Sequence, residues 1–165
     1  MVCILLLVMN LQIFEAGNEH RQMITELFAA YAAELQEDLC FQGFSDELND
    51  PFKKYAPPAG RILIAYYDNE PAGCIALLQL ASVGVCEMKR LFVRPAYRSL
   101  GTGALLVQQL ISVAKAVGYK SMVLDTLNRL QPAIRLYERF GFSKTKPYYP
   151  NPLPGVVYMQ KQLDA

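Results

Sequence analysis

A pair of glycines behind a basic segment is the clearest chemical signal in this sequence. Gly101 and Gly103 follow the stretch 89–98, which contains four cations and no acid. Glycine lets the backbone approach a ligand closely, and the helix predicted to begin there offers unpaired amide groups and the positive end of its dipole. The segment therefore predicts an anion site suited to a diphosphate. A solvated basic turn beside a helix cap is the alternative interpretation.

Two common nucleotide-binding loops do not match this glycine pair. A Walker loop needs Lys followed by Ser or Thr after its last glycine, whereas Ala104 and Leu105 follow Gly103. A dinucleotide fingerprint would have a third glycine at Leu106 and its first glycine close behind a strand. These mismatches exclude the usual Walker form and count against a nicotinamide-dependent oxidoreductase.

Strands and helices alternate along the chain and must position this turn. Period-2 and continuous apolar segments predict strands at 11–15, 61–67, 72–80, 85–93, 121–125, 142–148 and 156–163. Helical periodicity predicts helices at 23–35, after Ser45, at 101–117, and from Pro132 to Gly141. The proline-containing segment 50–60 is predicted to be a loop, and 68–70 a hairpin turn. The glycine turn thus lies between a strand and an amphipathic helix.

The bulk composition predicts one globular domain over residues 1–165. The chain has 53% hydrophobic and 19% charged residues and a net charge of +1, which favours neither nucleic acid nor a membrane surface as a partner. Residues 1–8 are apolar but too short to span a membrane. They are interpreted either as an extension of the first strand or as a misassigned start preceding Met9.

Metal and disulfide chemistry have little support in the sequence. The four cysteines lie far apart without a Cys-x-x-Cys pair, which favours reduced thiols and a cytoplasmic location. His20 is the only histidine, so a zinc site or a Ser-His-Asp triad would rest on one residue. We therefore expect no metal cofactor.

Two segments resemble motifs of the GNAT N-acetyltransferases. Arg98-Ser99-Leu100-Gly101-Thr102-Gly103 is similar to motif A, whose pattern is Arg/Gln-x-x-Gly-x-Gly/Ala. The segment AIRLYERFGF, at 133–142, is similar to motif B. The resemblance covers 61–163 well and the first sixty residues mainly in the order of elements. It implies an α/β (α+β mixed sheet) GNAT fold, with a mostly antiparallel sheet, splayed strands 4 and 5, and about four flanking helices.

The resemblance also implies how acetyl-CoA would bind. The pantetheine arm would bond to the backbone of the splayed strand, at Leu91, Phe92 and Val93. The pyrophosphate would lie on the following turn, formed by Arg98, Ser99, Leu100, Gly101, Thr102, Gly103 and Ala104. Many family members have an asparagine at the position of Leu130. Asn128 lies two residues away and is the candidate for that cofactor contact, with a contact from the backbone, or no contact, as the alternatives.

Tyr137 and Glu87 are the predicted catalytic residues. Tyr137 matches the family tyrosine that protonates the departing CoA sulfur, and its alternative interpretation is a core aromatic. Glu87 matches the position of a glutamate base in several members, acting directly or through ordered water. A salt bridge to Lys89 or Arg90 is its alternative role. Strand alternation predicts that Glu87 shares a face with Lys89, Leu91 and Val93.

The resemblance implies an N-acetyltransferase that acts on a small-molecule amine by direct attack in a ternary complex. A non-catalytic acyl-CoA sensor or interaction module is the alternative. Several residues are candidates for the acceptor pocket, namely Phe41, Gln42, Phe44, Tyr55, Tyr148 and Tyr149. Asp46 and Glu47 are candidates for attracting a cationic amine. A homodimer is compatible with the resemblance.

Overall fold

A computed structural model describes residues 10–163, which form a seven-stranded mixed sheet. The strands are β1 Leu11–Glu15, β2 Arg61–Tyr67, β3 Glu70–Gln79, β4 Val85–Val93, β5 Ser121–Leu127, β6 Ser143–Lys144 and β7 Val156–Gln162. Their order across the sheet is β1-β2-β3-β4-β5-β7-β6. The pair β4–β5 is parallel, and the other neighbouring strands are antiparallel. This confirms the predicted fold class.

Helices cover both faces of the sheet. They are α1 Arg21–Leu35, α2 Phe44–Asn49, α3 Pro51–Tyr55, α4 Thr102–Val117 and α5 Gln131–Arg139. Residues of α1, α2 and α3 pack in one core, and residues of α4 and α5 pack in a second core on the opposite face. In β2, Ile62 and Ile64 belong to the first core and Leu63 and Ala65 to the second. Burial on both faces explains why the central strands are almost continuously apolar.

Strands β4 and β5 separate after a short paired segment. Their register runs from Val85 opposite Ser121 to Glu87 opposite Val123, and no pairing beyond Glu87 occurs in the described part of the chain. The second half of β4 still pairs with β3, with Cys74 opposite Phe92. The other edge of β4 therefore faces a gap, which confirms the predicted splay of strands 4 and 5.

A β-bulge at Arg90 changes the alternation within β4. The register against β3 shifts between Cys74 and Ala76, and Arg90 has a positive φ of 59°. An extra residue in one strand reverses the side-chain alternation beyond it. Leu91 and Val93 accordingly pack in the α4–α5 core, whereas Phe92 packs in the α1–α3 core. Glu87 and Lys89 are in contact, as predicted, but the prediction that Leu91 and Val93 share their face is wrong.

The segment predicted as a loop at 50–60 contains helix α3. Asp50 caps this helix, because its carboxylate accepts a hydrogen bond from the Phe52 amide at 3.1 Å, and Pro51 occupies the first turn. An aspartate cap followed by proline is a recognised helix start. The loop prediction was therefore wrong for residues 51–55.

The strand predicted at 142–148 is much shorter than expected. Only Ser143–Lys144 forms β6, and the chain then runs as a loop to β7. Pro147 has no amide hydrogen to donate to a ladder. This loop turns Tyr148 and Tyr149 toward β4 and β5, where both hydroxyls form hydrogen bonds.

Two observations bear on the chain ends and on membranes. The predicted extension or misassigned start at 1–8 lies outside the described residues. Within residues 10–163, none of the helices combines the length and the apolar character needed to cross a membrane.

Candidate active site

A cavity of about 110 Å³ opens where β4 and β5 separate. One wall comes from the splayed strands and the opposite walls from α1, α5 and the loop before β7. Its lining residues are Tyr31, Leu35, Leu39, Gln42, Met88, Lys89, Arg90, Leu91, Asp125, Thr126, Leu127, Leu130, Ala133, Tyr137, Asn151 and Leu153. The cavity thus joins the open edge of β4 to a set of polar side chains.

Tyr137 lies on α5 and lines this cavity. Its side chain is only 7% exposed, and its ring packs edge-on against Phe142 with 6.0 Å between centroids. Burial raises the pKa of its hydroxyl above the ordinary tyrosine value. Among the described residues, none forms a hydrogen bond with this hydroxyl. A protonated, uncommitted hydroxyl facing the split is suited to donating a proton.

The backbone of the glycine turn is compatible with the predicted anion site. Ser99 and Gly101 have φ values of 62° and 84°, and α4 begins at Thr102. The first helical bond runs from the Leu105 amide to the Gly101 carbonyl at 3.0 Å, so the preceding amides of α4 have no helical partner. A side chain added at Gly101 would meet nothing within 4 Å, which leaves the space above the turn open.

Arg98 stabilises the turn through its side chain. Its Nε donates to the Val93 carbonyl at 2.9 Å, and its guanidinium pairs with Glu34 of α1. Two of the three guanidinium nitrogens thus have partners within the protein, while the side chain is 43% exposed. Gly103 is not among the glycines with a positive φ, and a Cβ added there would lie at ordinary contact distance, 3.6 Å from Leu136 and 3.7 Å from Val93.

Glu87 lies at the apex of the split, as the last residue of β4 paired with β5. It is 4% exposed, and its Oε1 accepts a hydrogen bond from the Tyr148 hydroxyl at 2.6 Å. Lys89 Nζ lies 3.6 Å from the same oxygen, so the predicted salt bridge is present. Glu87 is not among the cavity-lining residues and stands behind Lys89 and Tyr148.

Asp125 is the carboxylate that lines the cavity, and sequence reasoning missed this role. Its Oδ2 accepts hydrogen bonds from the Tyr149 hydroxyl and, at 2.7 Å, from Asn151 Nδ2. Gln42 in turn donates to the Tyr149 hydroxyl at 2.9 Å. Oδ1 accepts no hydrogen bond within residues 10–163. The only local signal was alternation along β5, which puts Asp125 on the face of Val123, the neighbour of Glu87.

Lys89 is a buried cation with long contacts. It is 7% exposed and lines the cavity. Its ammonium lies 3.4 Å from Gln42 Oε1 and 3.6 Å from Glu87. Desolvation lowers the pKa of Lys89, against the opposing effect of the Glu87 charge.

Arg90, the next residue, has close partners instead. Its guanidinium donates two hydrogen bonds of 2.8 Å to the Glu47 carboxylate, which also binds Lys54 Nζ at 2.7 Å and the Tyr55 hydroxyl at 3.0 Å. Burial alone would raise the pKa of Glu47, but the hydrogen bonds from Arg90 and Lys54 hold it below its usual value. The hypothesis that Glu47 attracts an acceptor amine is therefore wrong, because its oxygens are already occupied.

The remaining predicted residues divide between the cavity and the core. Gln42 lines the cavity and Tyr149 borders it through Asp125, whereas Phe44 and Tyr55 are buried in the α1–α3 core. Asn128 is exposed outside the cavity, and its oxygens accept hydrogen bonds from Gln131. Leu130, at the family's asparagine position, does line the cavity. The cofactor contact of Asn128 stays a prediction.

Comparison with known proteins gives a consistent result. Residues 24–142 match the model of the Acetyltransferase (GNAT) family. An uncharacterized N-acetyltransferase of Schizosaccharomyces pombe is 49% identical over 138 residues, covering 83% of this chain and 85% of that protein. An IAA acetyltransferase of Azospirillum brasilense is 32% identical over 109 residues, covering 66% and 71%.

Solved structures share the fold at lower identity. A GNAT-family acetyltransferase of Staphylococcus aureus has a TM-score of 0.78 at 20% identity, covering 94% of this chain and 100% of that chain. The Salmonella typhimurium protein yncA, solved with its cofactor acetyl-CoA, has a TM-score of 0.70 at 21% identity, covering 94% and 95%.

Fold, cavity and relatives together place the protein among the acyltransferases. The family match spans more than half of the chain. The chain therefore belongs to the GNAT family of N-acetyltransferases.

Proposed function

We propose that this enzyme transfers the acetyl group of acetyl-CoA to a primary amine of a small molecule, by direct attack in a ternary complex. One observation carries the proposal, namely a single cavity at the β4–β5 split that has Tyr137 on one wall and Asp125 on another. The acetyl-CoA bound to the yncA protein, which shares the fold, supports the choice of donor.

The free edge of β4 and the glycine turn are suited to acetyl-CoA. The free edge of β4 at Leu91, Phe92 and Val93 offers backbone groups to an amide-containing arm. The amides that open α4 and the unobstructed space above Gly101 suit a pyrophosphate. When bound, acetyl-CoA supplies an activated acyl carbon and a thiolate leaving group.

Side chains of this protein then take protons from the acceptor amine and give one to the CoA sulfur. The acceptor amine enters as an ammonium and is held by Asp125, and its proton passes through water to Glu87, which Tyr148 orients at 2.6 Å. A carbon–nitrogen bond forms and the carbon–sulfur bond breaks. The second proton on the nitrogen passes through water to the oxygen of Tyr137, which gives its own proton to the sulfur. The raised pKa of Tyr137 keeps that proton available throughout the neutral pH range.

Thiol release from acetyl-CoA in the presence of a panel of primary amines tests the proposal. We expect Tyr137→Phe to lower kcat by about 10²–10⁴-fold, the usual contribution of a general acid, without weakening acetyl-CoA binding measured by calorimetry. Tyr66→Phe is the matched control, because Tyr66 lies on β2 and its hydroxyl contacts Met23 rather than the cavity. An unchanged kcat for Tyr137→Phe would remove this residue from the mechanism.

The same experiment separates catalysis from sensing. Calorimetric binding of acetyl-CoA without thiol release for any amine would instead support the non-catalytic acyl-CoA sensor. A single domain over 1–165, a cytoplasmic location, a homodimer and the absence of nucleic-acid and membrane partners stay predictions from the sequence.

A further inference from the structure

The ammonium of Lys89 is poorly paired for a buried charge. A charged donor usually lies about 2.7–2.9 Å from its acceptor, and a lysine offers three such donors. Lys89 has contacts of 3.4 Å and 3.6 Å and is 7% exposed. Burying a charge without close partners is costly, so the site as built favours an additional anionic partner. Because Lys89 lines the cavity, that partner can come from a ligand.

A carboxylate faces the same cavity without pairing with Lys89. Asp125 lines the cavity with Oδ1 uncommitted, while Tyr149 and Asn151 fix its other oxygen. Within the described residues, the ion pairs include none between Lys89 and Asp125. A cation and an anion that line one cavity without forming an ion pair with each other are complementary to a molecule that carries both charges.

Arg90 does not supply this anion site, although it also lines the cavity. Both oxygens of Glu47 accept hydrogen bonds from its guanidinium at 2.8 Å. Lys89 is thus the cavity cation with capacity left for a ligand. The remaining wall is apolar and is formed by Leu35, Leu39, Leu127 and Leu153.

We propose that the acceptor is an amino acid, with its ammonium on Asp125, its carboxylate on Lys89 and its side chain against the apolar wall. This inference rests on the proposed acetyl transfer and specifies its substrate class. Lys89 then acts as a substrate-binding residue that selects for a carboxylate beside the reacting amine.

The test compares each proteinogenic amino acid with its methyl ester and its decarboxylated amine. All three compounds carry the reacting amine, but only the acid carries the negative charge. We expect kcat/KM for at least one acid to exceed that for its ester and amine by about tenfold or more, the lower end for a hydrogen bond to a charged group.

Substitutions test whether Lys89 causes the preference for the acid over its ester. Lys89→Gln should reduce the acid-to-ester ratio of kcat/KM to near one, and Lys89→Arg should retain most of it. Lys115→Gln, on the exposed surface of α4, is the matched control and should leave the ratio unchanged. Because the ratio compares two substrates on one preparation, partial misfolding of a variant does not alter it.

Several outcomes overturn the inference. Esters or amines acetylated as well as the acids would exclude carboxylate recognition, and an unchanged ratio in Lys89→Gln would exclude Lys89. Transfer to amines but to none of the acids would also refute it and leave the proposed function intact. Absence of transfer to every member of the panel would contradict both.

Discussion

Lys89 and Arg90 are neighbours on β4, yet their surroundings differ in a way that separates structure from function. Arg90 donates two hydrogen bonds of 2.8 Å to Glu47, whose carboxylate also binds Lys54 and Tyr55. Lys89 has two contacts longer than 3.3 Å and faces a cavity. A buried charge with close partners on every side stabilises one fold, whereas a buried charge with long contacts retains capacity for a ligand.

The bulge in β4 creates this contrast. Without it, consecutive residues of a strand would point to opposite faces. The positive φ of Arg90 instead lets its side chain reach Glu47 on α2, while Lys89 contacts Glu87 on the same side of the sheet. One local irregularity thus anchors α2 and leaves a cation beside the split.

The largest expected effect is on stability and concerns the ion pair between Glu47 and Arg90. Glu47→Gln should lower the free energy of unfolding by about 3–5 kcal/mol, because it leaves the Arg90 guanidinium buried without its counter-charge. Lys89→Gln should cost clearly less, since its ion pair with Glu87 is long. Denaturant unfolding of both variants measures the comparison. A larger loss for Lys89→Gln would contradict the assignment of Arg90 to stability and of Lys89 to ligand binding.

A double substitution sharpens the same point. Glu47→Leu with Arg90→Met removes both charges, and apolar replacement of a buried ion pair is often neutral for stability. We expect the double variant to recover most of the loss seen in Glu47→Gln, again by denaturant unfolding. A double variant less stable than Glu47→Gln would show that the ion pair has a structural role beyond charge neutralisation.

Smaller effects are expected on catalysis from the two carboxylates at the split. Glu87→Gln should lower kcat by about 10²-fold or more through loss of the base. Asp125→Asn should mainly raise KM for the acceptor, by about tenfold, because it removes a charged hydrogen bond. Steady-state kinetics against acceptor concentration separate the two. A fall in kcat for Asp125→Asn alone, with Glu87→Gln unaffected, would make Asp125 the base.

The smallest effects are expected in the pH dependence of stability. The pKa of Glu47 is lowered in the folded state, so its stabilisation is present above the unfolded pKa of about 4.3 and is lost as the pH falls through the folded value. The pKa of Lys89 is lowered too, so stability gains as the pH rises from the folded value toward the unfolded value of about 10.4. Unfolding titrations should show the acid loss reduced in Glu47→Gln and the alkaline gain absent in Lys89→Gln. An acid loss unchanged in Glu47→Gln, or an alkaline gain retained in Lys89→Gln, would contradict these pKa directions.

Local signals in the sequence were sufficient for most of the strands and helices, but not for the polar site. Gly101 and Tyr137 belong to contiguous segments, and the resemblance of these segments to GNAT motifs A and B singled them out. The orientation of Asp125 depends on Tyr149 and Asn151, which lie 24 and 26 residues further along the chain. No periodicity reports such a contact. The bulge at Arg90 likewise depends on pairing with β3, and alternation alone gave the wrong face for Leu91 and Val93.

The most direct test of the central claim is a thermal-shift comparison of the purified protein with acetyl-CoA, CoA, NAD and ATP. A ligand that binds only the folded state stabilises it by RT ln(1 + L/Kd), where L is the free ligand concentration, and so raises the unfolding temperature. A selective upward shift with acetyl-CoA and CoA is the predicted result. No shift with either compound, or a shift only with NAD or ATP, would contradict the assignment of the β4–β5 split and the glycine turn to an acyl-CoA.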